Sequence, residues 1–115
     1  MPTSNEDGSQ TAVIDTEHTL NTSNITTAGS YVIYVDKLNM AAGDTVTIRV
    51  KIQVRSTGTE STVFVGTYSN AQSADDMIAV SVPVALVASR GLDFTLEQTD
   101  GTGRAYPWEI VQIDG

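Results

Sequence analysis

The amino-acid sequence predicts an all-β protein, an antiparallel β-sandwich of jelly-roll or another Greek-key type with about seven to eight short strands. The chain of 115 residues contains 16 Thr, 13 Val and 8 Ile, about a third of the total. Side chains that branch at Cβ pack well on a pleated sheet. Hydrophobic residues also recur at every second position in several segments, and turn residues separate these segments. No useful length of the chain has the period of an α-helix, which excludes the α/β folds and their nucleotide sites.

The polar first ten residues, MPTSNEDGSQ, predict an N-terminal arm over residues 1–10. Such an arm lies either on its own domain or against a neighbouring subunit, and both possibilities stay open. Residues 11–115 are predicted to form a single β-sandwich domain. Its first strand is expected at Ala12–Glu17, before a loop or weak strand at Thr19–Ser30 and a strand at Tyr31–Val35.

The segment Thr45–Arg55 has the clearest strand pattern. Hydrophobic and polar residues alternate there over five periods, which predicts one buried face and one wet face. The hydrophobic row consists of Val46, Ile48, Val50, Ile52 and Val54. A turn at Ser56–Glu60 is expected to lead into the strand Ser61–Tyr68.

The next part of the chain begins with a polar loop at Asn70–Asp76 that contains a helical turn. In Met77–Leu86 the hydrophobic residues alternate again. Pro83 has no N–H for a β-ladder, so this segment is predicted to be an edge strand or a bulged strand. The alternating residues are Ile78, Val80, Val82, Val84 and Leu86.

The last two strands are predicted around the row Leu92, Phe94 and Leu96 and over Ala105–Ile113, with a hairpin turn at Thr99–Gly103 between them. In the final strand Trp108, the only tryptophan, alternates with Tyr106 and Ile110. This parity predicts that the indole packs in the core.

The charge balance limits the partners of the protein. Fourteen acidic and six basic residues give a net charge of −8, which argues against nucleic acids and anionic membranes. The absence of cysteine excludes disulfides, thiolate metal sites and a cysteine nucleophile. Residues 1–10 do not resemble a signal peptide and no apolar run reaches the length of a membrane span, so we expect assembly in a cytoplasm.

The sequence predicts no enzyme, no metal site and no cofactor. His18, the only histidine, has no G-x-S-x-G segment beside it. The neighbouring acids Asp75 and Asp76 are expected to be solvated charges, since a small sandwich offers no cleft. The glycines after Asp100 lack the lysine of a phosphate-binding loop and therefore indicate a β-turn.

Half of the basic residues lie in one strand. Arg49, Lys51 and Arg55 occupy the predicted wet face of Thr45–Arg55. One explanation is pairing across strands with an acidic row such as Asp93 and Glu97. The other explanation is docking onto an acidic surface of a partner.

Several segments together resemble a family of small structural proteins encoded among the virion genes of tailed bacteriophages, similar to capsid decoration (cement) proteins. The segments are YVIYVD (31–36), LNMAAGD (38–44), DDMI (75–78), FTLEQTDGTGR (94–104) and PWEI (107–110). The resemblance covers roughly Ser30 to Ile113 and includes no catalytic signature. It implies a β-sandwich on the outer capsid surface of the virion, commonly a homotrimer, with the major capsid protein as its partner. It also implies assembly in the cytoplasm of the host bacterium.

This hypothesis gives two candidate contact regions. The arm would contact neighbouring subunits, and the basic stripe would be a second contact. The candidate residues are Met1, Pro2, Thr3, Ser4, Asn5, Glu6 and Asp7 in the arm, and Arg49, Lys51 and Arg55 in the stripe. Two alternatives stay open: a carbohydrate-binding module of a phage fibre or spike, which needs an exposed Trp108, and a head–tail or tail completion protein, which forms larger rings.

Overall fold

Nine β-strands and one turn of 3-10 helix, Ala74–Asp76, make up the protein in a computed structural model that describes residues 2–114. In chain order the strands are β1 (Thr3–Thr11), β2 (Glu17–Thr19), β3 (Gly29–Asp36), β4 (Thr45–Gln53), β5 (Glu60–Ser69), β6 (Ile78–Val80), β7 (Val84–Leu86), β8 (Leu92–Asp100) and β9 (Ala105–Asp114). Within this part of the chain, no helix has the length and apolar character needed to cross a bilayer.

The strands form two antiparallel sheets. Sheet A has the order β1-β9-β3, and β6 and β7 pair one after the other with the free edge of β3. Sheet B has the order β2-β8-β4-β5. When β6 and β7 are counted as one interrupted strand, this is the strand order of a jelly roll. The predicted all-β sandwich is confirmed.

The core lies between the two sheets and contains the rows that the sequence predicts. In β4 the row is buried as far as Val50, whereas Ile52 is half-buried and Val54 is exposed beyond the end of the strand. Trp108 is packed as predicted, with 8% of its surface exposed. Gly8 pairs with Trp108 across β1 and β9, and a side chain at this glycine would press on the indole ring.

Of the two positions left open for the N-terminal segment, the structure shows the one on its own domain. Thr3–Thr11 is the outer strand of sheet A, antiparallel to β9. Backbone pairing with β9 and a hydrogen bond from the N–H of Thr22 to the carboxylate of Glu6 hold β1. Its inward side chains include no hydrophobic residue, so hydrophobic alternation could not reveal it. The strand predicted at Ala12–Glu17 is wrong: Asp15 has a φ of 64° in a turn, and the strand begins only at Glu17. Met1 lies outside the described residues.

The segment Met77–Leu86 is bulged on the edge of its sheet, as Pro83 predicts. Ser81 bridges the gap between β6 and β7, since its N–H donates to the carbonyl of Ile33 and its hydroxyl accepts the N–H of the same residue. Beyond this point Val82 and Pro83 stand opposite the single residue Val32. The extra residue reverses the side on which the following side chains lie. The apolar row is therefore split: its first three members are exposed and its last two are buried.

Candidate interaction surface

The outward side of sheet B has a network of charges and hydroxyls on β2, β4 and β8, beside the exposed Val63 and Val65 of β5. We call this network face B. It consists of Glu17 on β2, Arg49 and Lys51 on β4, and Thr95 and Glu97 on β8. Arg49 donates to Glu97 at 2.9 Å, and the ammonium of Lys51 lies 2.9 Å from a carboxylate oxygen of Glu17. The same oxygen accepts the hydroxyl of Thr95 at 2.7 Å.

The electrostatics of face B are satisfied within the chain. Burial alone would raise the pKa of Glu17, but hydrogen bonds from Lys51 and Thr95 and the charge of Arg49 outweigh it and lower this pKa. Of the two explanations for the basic stripe, the structure therefore shows cross-strand pairing for Arg49 and Lys51. The partner of Lys51 is Glu17, however, and the sequence did not single out this residue.

The acid that we expected opposite Lys51 has other neighbours. Asp93 accepts the amide of Asn21 at 2.7 Å and lies beside Glu60, the first residue of β5. Burial and the carboxylate of Asp93 raise the pKa of Glu60 to about 7, against the opposing effects of Asn24 and Lys51. Two carboxyl groups this close do not both carry a full charge at low cost. At this corner of face B, the pKa of the Glu60 carboxyl group is therefore near neutral.

Arg55 is separated from the other two basic residues of the stripe. It lies in the turn that follows β4, next to Val54, the most exposed large hydrophobic residue in the described chain at 77%. No salt bridge involves Arg55 within residues 2–114. Its side chain and that of Val54 form an exposed tip on the β4–β5 connection, here called the tip.

The outward side of sheet A has the opposite character. Tyr34, Ile78, Val80 and Val82 are each between 40% and 49% exposed there. Tyr34 pairs with Val80 on β6 on one side and with Glu109 on β9 on the other side. These residues form an apolar surface that no described part of the chain covers.

Acidic residues line the same surface. Asp7 on β1 pairs with Glu109, so that Asp7, Glu109, Tyr34 and Val80 form one row across four neighbouring strands. Asp7, Glu109, Tyr34 and Asp36 border an open depression of about 490 Å³. The strands of sheet A contain no lysine or arginine. We call this surface face A: the four exposed apolar residues with Asp7, Asp36 and Glu109.

The sequence analysis did not find face A, although a signal was present. The segment Tyr31–Val35 consists of five consecutive apolar residues, which means that both sides of β3 are apolar. The sequence predicts a strand here, but the prediction did not include a contact for the outward side of this strand. The exposure of Ile78, Val80 and Val82 depends on the bulge before Val84, which local alternation cannot show.

A buried polar network braces the end of the sandwich where β3 ends. Asp44 is 1% exposed, and its carboxylate accepts the N–H groups of Ala41 and Thr102 and the Arg104 guanidinium at 2.8 Å. Burial would raise the pKa of Asp44, but these hydrogen bonds lower it. The β8–β9 hairpin passes so close that Gly101, with a φ of 84°, leaves no space for a side chain. The network holds the hairpin and the loop before β4 together.

The remaining reactive residue types are held by neighbours that give them structural roles. His18 accepts the N–H of Val13 through Nε2. Lys37 is buried, with its ammonium 3.7 Å from the centre of the Tyr68 ring, and donates to Gln72. Burial lowers the pKa of Lys37, and the charge of Asp76 opposes this effect. Within residues 2–114 there is no group of three or more histidine or acidic side chains placed to hold a metal ion.

Comparisons with protein-family models, with curated proteins and with solved structures gave no significant match. Functional inference therefore depends on the features described above. Three of them are open to a partner: face A, the tip at Val54–Arg55, and the outer edge of β1, which pairs with no other strand among the described residues.

Proposed function

We propose that this chain is a structural virion protein without enzymatic activity that binds the outside of a phage capsid and stabilises the mature lattice. Its partner in this proposal is the major capsid protein, and the working form is a homotrimer. Face A is the observation that supports the proposal most. It is an apolar sheet surface with acidic residues beside it, whereas Arg49, Lys51 and Arg104 are paired with acids of the same chain.

Exposure of the apolar side chains of face A to water is unfavourable in free energy. Adjacent exposed hydrophobic residues on a sheet are a common sign of a protein–protein interface. A rigid β-sandwich with such a face stabilises a lattice by binding its mature form in preference to other forms. Jelly rolls occur in capsid proteins and in lectins, so that the fold alone does not decide between these functions.

The outer edge of β1 is the second contact in this proposal. Thr3, Ser4, Asn5 and Asp7 are exposed on it. Their strand has backbone groups free to add a strand from a neighbouring subunit. Polar side chains on an edge strand also protect the unbound protein against unspecific aggregation.

A carbohydrate-binding module is the second candidate. Trp108 cannot provide a stacking platform for a sugar because its ring is packed in the core. Tyr34, however, is exposed between carboxylates, an arrangement that also suits sugar hydroxyls. A glycan-binding measurement with the wild-type protein and Tyr34→Ala tests this alternative directly.

Binding to expanded empty heads built from the major capsid protein of the same phage tests the capsid proposal. We expect Val80→Asp, which places a charge among the apolar residues of face A, to weaken binding at least 100-fold. Val65→Asp is the matched control, since Val65 is exposed on β5 opposite Arg49 and away from face A. It should bind as the wild type does.

Three results would decide the matter. Wild-type protein that does not bind the heads would overturn the proposed function. Equal binding by Val80→Asp and the wild type would remove face A from the interface. Deletion of residues 2–10 should lower head occupancy, and unchanged occupancy would remove the β1 edge from the proposal.

A further inference from the structure

We infer that copies of this chain associate head to tail, with the tip at Val54–Arg55 of one copy seated on face A of the next. This inference rests on the homotrimer part of the proposed function and does not depend on capsid binding. It names the two surfaces and the residues that form the contact between copies.

The two surfaces lie toward opposite ends of one sandwich. The tip follows the end of β4, where Gln53 bonds with Gly91 and where the 87–91 loop contacts Thr26 just before β3. Face A lies toward the other end of β3, where Asp36 pairs with Ile78. The longest dimension of the molecule is 41 Å. Because the two surfaces lie toward opposite ends of the sandwich, we expect a second copy to bring them into contact.

The chemistry of the two surfaces is complementary. The tip presents an exposed valine and an exposed guanidinium side by side. Face A presents exposed apolar side chains, an aromatic ring and three carboxylates, with no basic residue in its strands. A guanidinium stacks on a tyrosine ring and pairs with carboxylates more readily than an ammonium does. We therefore expect Val54 on Ile78 and Val80, and Arg55 against Tyr34 and Glu109.

The other cations of the chain are not available for this contact. Arg49, Lys51 and Arg104 form ion pairs within the chain, and Lys37 is buried under Tyr68. Arg90 is partly buried. Arg55 is the exposed basic residue of the described chain, and face A is an acidic surface without a cation of its own.

The contact uses two different surfaces, and such a heterologous contact closes into a ring if the rotation between copies allows it. Each copy then uses its tip and its face A once. In a closed ring no tip and no face A remains exposed. The outer edge of β1 then meets the lattice, and face A supports capsid binding by holding the copies together.

Sedimentation equilibrium over a range of protein concentrations tests the contact through charge reversal. We expect Arg55→Glu and Glu109→Lys each to weaken association at least tenfold, because each places like charges across the contact. The double variant Arg55→Glu, Glu109→Lys restores opposite charges and should associate within threefold of the wild type. Asp75→Lys is the matched control: it makes the same charge change at an exposed position outside face A and should leave association unchanged.

Crosslinking provides a second measurement, which the cysteine-free chain makes clean. With Arg55→Cys and Glu109→Cys in one chain, a short bifunctional thiol reagent should produce covalent oligomers up to the full ring. Each single cysteine variant should give none beyond a dimer.

The outcomes separate this contact from the other proposals. A wild-type protein that stays monomeric at millimolar concentration would overturn the contact and the homotrimer together. An oligomer that Arg55→Glu leaves intact, or that Asp75→Lys weakens as much as Glu109→Lys does, would overturn the contact alone. Binding to heads is measured separately, so its failure would affect only the capsid proposal.

Discussion

The two outward faces of the sandwich differ in whether their side chains find partners within the chain. Both are made of strands whose inward residues fill a common core. On face B, charged and hydroxyl side chains satisfy one another across β2, β8 and β4. On face A, exposed apolar side chains lie beside carboxylates that form no salt bridge within the described residues.

This difference separates the side chains that stabilise the fold from the side chains that are available for binding. A side chain of face B contributes to folding, because its partners belong to the same chain. A side chain of face A contributes little to folding, because it contacts mainly water in the free protein. Substitutions on the two faces should therefore separate the free energy of unfolding from the free energy of association.

Trp108→Ala should have the largest effect on stability. It tests whether the inward side chains of sheet A, under face A, contribute more to the free energy of unfolding than the outward ones. Loss of a buried indole leaves a cavity and costs about 3–5 kcal/mol of unfolding free energy in urea titrations. Tyr34→Ala, on the outward side of the adjacent strand, should cost under about 1 kcal/mol. Similar losses for both variants would contradict the division into a core side and a free side. Shielding of the indole from soluble quenchers is the independent check.

Glu60→Gln should stabilise the protein at high pH and would test the corner of face B that titrates. The folded-state pKa of about 7 lies above the ordinary value of 4.5, so the folded chain holds a proton that the unfolded chain has released between these pH values. Wild-type stability therefore falls as the pH rises through this window, and glutamine removes the loss. We expect a gain of about 1 kcal/mol at pH 8 and almost none at pH 4.5. An equal gain at both pH values would contradict the assignment.

The smallest expected changes in unfolding free energy come from one substitution on each face. Glu17→Gln should cost about 0.5–1 kcal/mol at low salt and less at 1 M salt, since it weakens an ion-pair network. The depressed pKa of Glu17 means that its contribution is present above pH 4.5 and is lost as the pH falls through the folded-state value. Val80→Ser on face A should change stability by only a few tenths of a kcal/mol. Thermal unfolding at two salt concentrations measures both, and a larger loss for Val80→Ser would reverse the comparison.

Much of the fold could be predicted from the sequence because inward-facing rows leave a local signature. The alternation in β4 and the inward parity of Trp108 depend only on the period of a strand and were confirmed. The strand β1 could not be predicted in this way, because its pairing is by backbone and its inward positions include Glu6, Gly8 and Gln10. Backbone pairing between distant segments of the chain does not require hydrophobic alternation, so the side-chain pattern does not reveal it.

The candidate surface was predicted less well, for a related reason. The predicted stripe of Arg49, Lys51 and Arg55 was correct for the first two residues, whereas Arg55 lies beyond the end of β4. The acidic partner Glu17 comes from a short strand that the sequence pattern did not place. Face A depends on a bulge opposite Val32 that reverses the side of a row. A bulge forms between two paired strands. The sequence alone does not show which strands pair, so it does not show where a strand is interrupted.

The position of β9 between β1 and β3 also has a consequence for synthesis. β9 follows β1 by about a hundred residues, so β1 has no partner in the sheet until β9 has been synthesised. Pairing of residues that are about a hundred positions apart makes folding slow. Face A, whose carboxylates come from β1, β3 and β9, is therefore completed only after β9 has left the ribosome. A nascent chain without β9 lacks the finished surface, which delays association until this strand has been made.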